Sequence, residues 1–441
     1  MANSINDEIV RSLSASYINK PLMITPNLAP KLSPEKLKKL KALQAQKKKL
    51  LLQKEIKDNF DNFKFNLSRK IYHFVGSNTN PLQQHYEHLF PNQKQFGNTI
   101  FNNYVDNLSL IHTLAVAPTQ SGKTGSMLSI MYHALSHKTH GVPIENIFIF
   151  TAHSSREWLL QTRDRFPSVL HDNIFHRNNL KKIIQKLKNK SNVLLIIDEA
   201  HIGVKISQTL FNLFYELNYY NFTHLFNNNI KIVNFTATPD LIIQNFELWK
   251  QSATVVNMPV PESYISHDKL LKTNRAFQFK DLTCFDSASN SVNPVAYENI
   301  REILPFIYNM KSPKYHIIRT PRANLHNITI QNFKNVIQDD FLFISETIIP
   351  DLDDLIASPP DKHTFIFIKD KLRCAKTLHK HHLGVLYERF VTKPNHDSII
   401  QGLAGRLTGY HNNTHSVVFS HLPLFYSPSN PKPIPSAFIP F

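Results

Sequence analysis

Cysteine is almost missing from this chain: 441 residues include two, Cys284 and Cys374, far apart and in no metal-ligand spacing. That argues against a disulfide framework or a cysteine-based zinc site and fits a reducing compartment. No apolar stretch approaches the roughly 18 residues of a membrane span, and no N-terminal run has the charged-then-apolar shape of a secretion signal. A soluble, intracellular, non-secreted protein with no membrane partner is therefore expected. There is no G-x-S-x-G nucleophile elbow, no nuclease-like carboxylate set and no internal repeat. His379, His381 and His382 crowd together without a cysteine or carboxylate near in sequence to complete a zinc set. Acidic residues are outnumbered, 33 Asp and Glu against 50 Lys and Arg, for a formal charge of +17. An excess of that size suits a polyanionic partner, nucleic acid before a membrane surface. With 42% hydrophobic and 11% aromatic residues, the chain has material for two or three packed cores.

What is present is organised around Ala117-Pro118-Thr119-Gln120-Ser121-Gly122-Lys123-Thr124, directly after the apolar run 110–116. This reads as a buried strand entering a tight loop, with a helix over 126–135. Such a loop turns backbone N–H groups around phosphate oxygens. The helix N-terminus adds partial positive charge, Lys123 reaches the β- and γ-phosphates, and the Thr124 hydroxyl can ligate Mg²⁺. Ala117 stands where the loop pattern usually has its first glycine. A second apolar strand, 193–197, delivers Asp198 and Glu199 at its C-terminal end, where open parallel sheets bind ligands. The two elements together point to a nucleoside triphosphate site.

In chain order, Ser33-Pro34 opens a basic amphipathic helix to about residue 60, its leucines at helical spacing among lysines. That helix can touch nucleic acid, hold a protein partner or simply pack one leucine stripe. Lys38-Lys39 and Lys47-Lys48-Lys49 read equally as a nuclear address or as a basic helix face. A helix to about Val105 follows Phe90-Pro91, preceded by Gln93 and Gln95, whose amides can meet an adenine edge. Strand 146–151 ends at Thr151, with Ser154 and Arg156 beyond it, residue types that suit backbone phosphates. A basic helix over 178–190, a helix over 207–217, strand 230–235 and the loop Thr236-Ala237-Thr238-Pro239 complete an alternating α/β pattern. Alternation resumes with strands at 314–319, 341–345, 364–368, 384–387 and 416–420 and helices at 323–337, 372–379 and 396–407. The division expected is a basic, partly helical extension over 1–75, an α/β domain over 76–258, a linker or insertion over 259–312 and a second α/β domain over 313–441.

Taken in order, these segments resemble the superfamily 2 helicases, the DEAD/DEAH-box motor ATPases. APTQSGKT (117–124) is similar to their motif I, residues 151–156 to Ia, Asp198-Glu199-Ala200-His201 to the DEAH form of II, and Thr236-Ala237-Thr238 to III. The stretch from His396 to Arg406 resembles motif VI. Residues 315–319 and 366–373 are looser matches to IV and V. The resemblance covers about residues 90–410. It implies two RecA-like, doubly wound parallel-sheet domains in tandem, with ATP and Mg²⁺ between them and DNA or RNA held mostly by its backbone.

The same resemblance implies roles. Asp198 would hold Mg²⁺ through water together with Thr124, and Glu199 would orient and deprotonate the attacking water. Residues 117–124 and Gln93 would bind the nucleotide, with Gln93 preferred to Gln95 for the adenine. Arg406 would be the arginine finger, with Gln401 on the same helix lining the cleft. His201, Thr236 and Thr238 would couple nucleotide state to the second domain. Thr151, Ser154 and Arg156 would meet nucleic acid. The chain departs from the pattern at Gly409, where these helicases place a further arginine, which leaves open which arginine completes the site. Three other readings stand beside the helicase: a motor that remodels protein–nucleic-acid complexes without unwinding, as a termination factor does; a non-hydrolysing nucleic-acid-binding module; and, more distantly, a P-loop kinase.

Overall fold

The computed structural model of the protein describes residues 80–425, short interior stretches excepted (152–155, 201–208, 240–241, 244–245, 247–248, 250–251, 287, 339, 347–351, 370–377 and 412). Of the basic N-terminal extension it describes Leu50, Leu51 and Lys54, all helical, so the expected helix over 33–60 otherwise lies outside the described residues.

The first lobe is a six-stranded, wholly parallel sheet made of β1 (His112–Val116), β2 (Ile147–Thr151), β3 (Ile174–His176), β4 (Val193–Asp198), β5 (Ile230–Thr236) and β6 (Ala253–Asn257). The strands lie in the order β3-β2-β4-β5-β1-β6. β2 and β4 are unbroken runs of Ile, Leu, Val and Phe up to their last residue, and β1 and β5 are buried along their whole length, because helices cover both faces of a parallel sheet. The helices used below are α1 (Pro91–Asp106), α2 (Lys123–Ser136) and α3 (Arg156–Arg165). α1 starts where Pro91 takes the first helical position and Gln93 bonds back to the N-cap backbone. α2 starts at Lys123, earlier than the expected 126, because Gly122 at φ +101° takes the left-handed cap geometry that frees the next residue to be helical.

β5 separates β1 from β4 in this order. Neighbouring strands are about 4.8 Å apart, so the loops that leave the C-terminal ends of β1, β5 and β4 crowd within about 10 Å of one another. The strand order thus converts three remote sequence segments into one site.

The second lobe is again six parallel strands, ordered β11-β12-β10-β13-β14-β7. They are β7 (Ala276–Gln278), β10 (Tyr315–Arg319), β11 (Leu342–Ser345), β12 (Thr364–Ile368), β13 (Leu383–Tyr387) and β14 (Val417–Ser420); β8 (Phe285–Asp286) and β9 (Ser291–Val292) form a separate small hairpin. Two tandem α/β domains with doubly wound parallel sheets are therefore present, as the resemblance implied.

Two expectations are corrected. Residues 259–312 are not a spacer. β7 pairs with β14, Ala276 opposite Val418, and Leu270, Phe279, Leu282, Ile300, Ile303 and Ile307 lie in the second lobe's core. Their apolar residues are scattered among polar ones, and β7 is a three-residue edge, too short to show a period. The helix expected over 396–407 is two, α4 (His396–Ile400) and α5 (Leu403–Leu407), broken at Gln401-Gly402. The break has a cause: a side chain at Gly402 would lie 2.6 Å from Glu388 Oε2. That carboxylate, bonded twice by Arg319 Nη1 at 2.7 and 2.8 Å, accepts the Leu403 N–H at 3.1 Å and so fixes the start of α5. The expected helix over 372–379 falls mainly on residues outside the described set.

Candidate functional site

A cleft of about 590 Å³ opens between the two lobes, lined by Thr119, Gln120, Gly122, Lys123, Thr124, Asp198 and Glu199 from the first and by Gln401, Arg406 and Lys380 from the second. The loop after β1 has two left-handed residues, Gln120 at φ +61° and Gly122 at φ +101°. That alternation turns successive backbone amides toward one side, the concavity that binds anions. Ala117, in place of the usual glycine, is buried and extends the sheet ladder through its N–H to Thr236 O at 2.9 Å. Beneath the loop, Ser121 Oγ contacts Met258 Sδ at 3.2 Å.

Gln93 braces the loop from α1. Its Oε1 accepts the Phe90 N–H at 3.0 Å and its Nε2 donates to Gly122 O at 3.3 Å. A Cβ on Gly122 or Gly125 would lie 2.1 or 2.5 Å from its amide. The glycines are there so that this amide can press against the loop. Gln93 also borders the cleft, whereas Gln95 is exposed on the opposite side of the helix period.

Lys123 Nζ forms an ion pair with Glu199 Oε1 at 3.1 Å, and both side chains are largely shielded. Burial pulls the lysine pKa down, but the Glu199 and Asp198 carboxylates outweigh it and hold the ammonium above its ordinary value. Glu199 is itself left-handed at φ +51°, a geometry that costs a non-glycine residue about 1–3 kcal/mol. It persists because Ala200 returns to the ladder through its N–H to Phe235 O, 2.9 Å, leaving Glu199 projected into the cleft.

Asp198 is held on both oxygens. The Trp158 indole N–H donates to Oδ2 at 2.9 Å and the Glu199 N–H to Oδ1 at 3.0 Å. Burial, reinforced by Glu199, pushes its pKa up to about 6 despite Lys123. Among the described residues no cluster of three or more His, Cys, Asp or Glu forms a protein-only metal site. Thr124 and Asp198 border the same cleft, a donor set of one hydroxyl and one carboxylate. That suits Mg²⁺, which is held through one or two carboxylates together with ligand phosphates.

From the second lobe, Arg406 is almost fully buried on α5 and close enough to Lys123 to oppose its charge. The lobes are closed on each other. Thr408 Oγ1 and Tyr264 Oη both donate to Thr119 O, at 2.8 and 2.7 Å. Tyr410 Oη donates to Ser121 O at 3.3 Å. Gln401 Nε2 reaches Thr238 Oγ1 at 3.5 Å, and the Thr236 hydroxyl locks that loop by donating to Thr238 O and accepting its N–H.

The site therefore unites residues 117–124, Gln93, Asp198, Glu199, Gln401 and Arg406, and places Thr236 and Thr238 at its lobe boundary. Thr151, at the end of β2, is fully buried opposite Asp198. His201 and Ser154 lie outside the described residues, as does the Arg156 side chain at the start of α3. Sequence reasoning missed Trp158, Tyr264, Tyr410 and Lys380. A lone tryptophan in a helix carries no signal of a partner on another strand, and Lys380 was hidden in a histidine-rich stretch.

No protein-family profile matches the chain. An uncharacterized protein, L594, of Acanthamoeba polyphaga mimivirus is 26% identical over 334 residues, covering 69% of this chain and 78% of that one. Among solved structures, the Escherichia coli DEAH/RHA helicase HrpB is similar over 73% of this chain at 16% identity and a TM-score of 0.45. This chain spans less than half, 42%, of HrpB. Saccharomyces cerevisiae Dbp5 bound to RNA and ADP BeF3 is similar over 78% of this chain and 90% of its own, at 11% identity and a TM-score of 0.42. Among the described residues no helix is long and apolar enough to cross a membrane.

Proposed function

We propose that the protein is a nucleic-acid-dependent ATPase of the superfamily 2 type, using ATP hydrolysis between its two lobes to move along or unwind DNA or RNA. The observation that carries this reading is the convergence of Lys123, Asp198 and Glu199 from two strands of one lobe with Arg406 from the other around a single cleft. Lys123 and the turned amides of residues 119–123 suit the phosphates, with Gln93 at the edge where a base would lie. Thr124 and Asp198 would hold Mg²⁺, which shields the phosphate charge. Glu199 would take a proton from the attacking water, and Arg406 would meet the charge that grows on the terminal phosphoryl group. The Gln401–Thr238 contact would pass that closure from lobe to lobe. The charge of +17 supports a nucleic-acid strand as the track, with Ser154 and Arg156 candidates for its first contacts and the basic extension a further one; Thr151, fully buried, is not among them.

The test is phosphate release by the purified full chain with no nucleic acid, with single-stranded DNA and with single-stranded RNA. Turnover stimulated by at least one strand, and abolished by Lys123→Ala, is expected. An absence of turnover in all three conditions would overturn the reading. A strand-displacement assay then separates unwinding from remodelling without unwinding.

A further inference from the structure

Lys380 enters the cleft from the second lobe, ahead of β13. Its Nζ donates to Gln120 Oε1 of the phosphate-binding loop at 2.6 Å and to Thr408 O. Both acceptors are neutral, and among the described residues it has no carboxylate partner. An ammonium held this way, next to Arg406, has given up water without gaining a countercharge. Burial and the Arg406 guanidinium push its pKa down to about 7. The cleft lining carries Lys123, Arg165 and Arg406 against Asp198 and Glu199, a surplus of one positive charge before Lys380 is counted. Gly409 makes the room: a Cβ there would lie 3.3 Å from Lys380 Nζ and 3.2 Å from the Gln120 Cβ.

On the strength of the ATP-binding reading above, we propose that Lys380 is a second phosphate-contacting cation of the second lobe, exchanging the Gln120 side chain for the terminal phosphate of the bound nucleotide. The move is short, because Gln120 belongs to the phosphate-binding loop itself. Arg406 and His411 are the charged or titratable groups that face Lys380 within its own lobe, with His379 and His381 flanking it along the chain and Tyr410 beside Gly409. Across the cleft stand Lys123, Arg165, Asp198 and Glu199. Of these, His411 is held neutral by burial and by Lys380, its pKa lowered to about 4. It therefore does not change charge near pH 8.

Isothermal titration of the full chain with Mg–ATPγS and with Mg–ADP, at pH 8 in two buffers of different ionisation enthalpy, tests the assignment. The wild type should take up close to one proton with Mg–ATPγS, since a group of pKa about 7 is mostly neutral at pH 8 and fully charged against phosphate. Lys380→Met should lose about tenfold or more in affinity for Mg–ATPγS but less for Mg–ADP, and should take up almost no proton. Lys380→Arg should regain the affinity without the uptake, which also shows that loss in Lys380→Met is not misfolding. If Lys380→Met binds Mg–ATPγS like the wild type, the role of Lys380 is refuted while the ATPase reading stands. If the wild type binds neither nucleotide, both are refuted.

Discussion

Glu199→Gln is the substitution whose outcome discriminates best, because the geometry sets opposite signs for binding and for turnover. The side chain keeps its shape and the left-handed backbone at residue 199 is unchanged; only the charge goes. In the wild type the 3.1 Å Lys123–Glu199 pair must open before the ammonium can turn to a phosphate. At an effective dielectric of about 20 its gross attraction is about 5 kcal/mol. Most of that is recovered in the new lysine–phosphate contact, and removing the carboxylate also lifts its repulsion of the triphosphate. A net gain of about 1–2 kcal/mol is expected, so nucleotide should bind roughly 5–30-fold more tightly. Turnover should fall by about 10²–10⁴, the usual contribution of a general base. Fluorescent-nucleotide titration and single-turnover phosphate release measure the two effects separately. Normal hydrolysis together with weaker binding would show that Glu199 neither restrains Lys123 nor serves as the base.

Further outcomes follow from packing and from charge. Gly405→Val should hold the lobes apart, since even a Cβ at 405 would stand 2.9 Å from Thr119 Cγ2 and 2.5 Å from Ile400 O; turnover should drop well over tenfold with nucleotide affinity for the first lobe largely kept, and small-angle scattering should show a more open particle. His112, buried against Trp249 with ring centroids 4.2 Å apart, has its pKa lowered to about 3 by burial. The unfolded imidazole binds a proton below about 6.5 and the folded one does not, so stability rises with pH from about 3 to 6.5 and is flat above. His112 should therefore contribute about 2 kcal/mol to the loss of stability between pH 7 and pH 5, alongside the other buried histidines, and chemical denaturation of His112→Phe should show the pH 5 loss reduced by that amount.

The strands that the sequence showed best are those buried on both faces. Residues 114–116, 193–197 and 365–368 are continuous apolar runs, and their order with the intervening helices gave the alternating architecture. Lys123 and Asp198-Glu199 were legible because loop chemistry and strand-end carboxylates are local features. What depends on the neighbour of a neighbour was not. Trp158 matters only because β2 and β4 are adjacent, and the break at Gly402 only because Glu388 reaches under it. Lys380 acquires a role only when the lobes close on Gln120. β7 is three residues whose partner, β14, lies about 140 positions later in the chain.

The parallel seating of β7 also sets a mechanical limit. The chain leaves the first lobe at Asn257, the end of β6, and is already tied to the second at Ile265, whose backbone exchanges hydrogen bonds with Gly409. Residues 258–264 are therefore the whole leash on this side, and stretched out they span no more than about 25 Å. Even that reach is not available at once, since Tyr264 is moored to Thr119 O and Met258 lies under the loop. Opening must begin by slipping the Tyr264 mooring, so each excursion of the lobes tugs on the loop proposed to hold the phosphates.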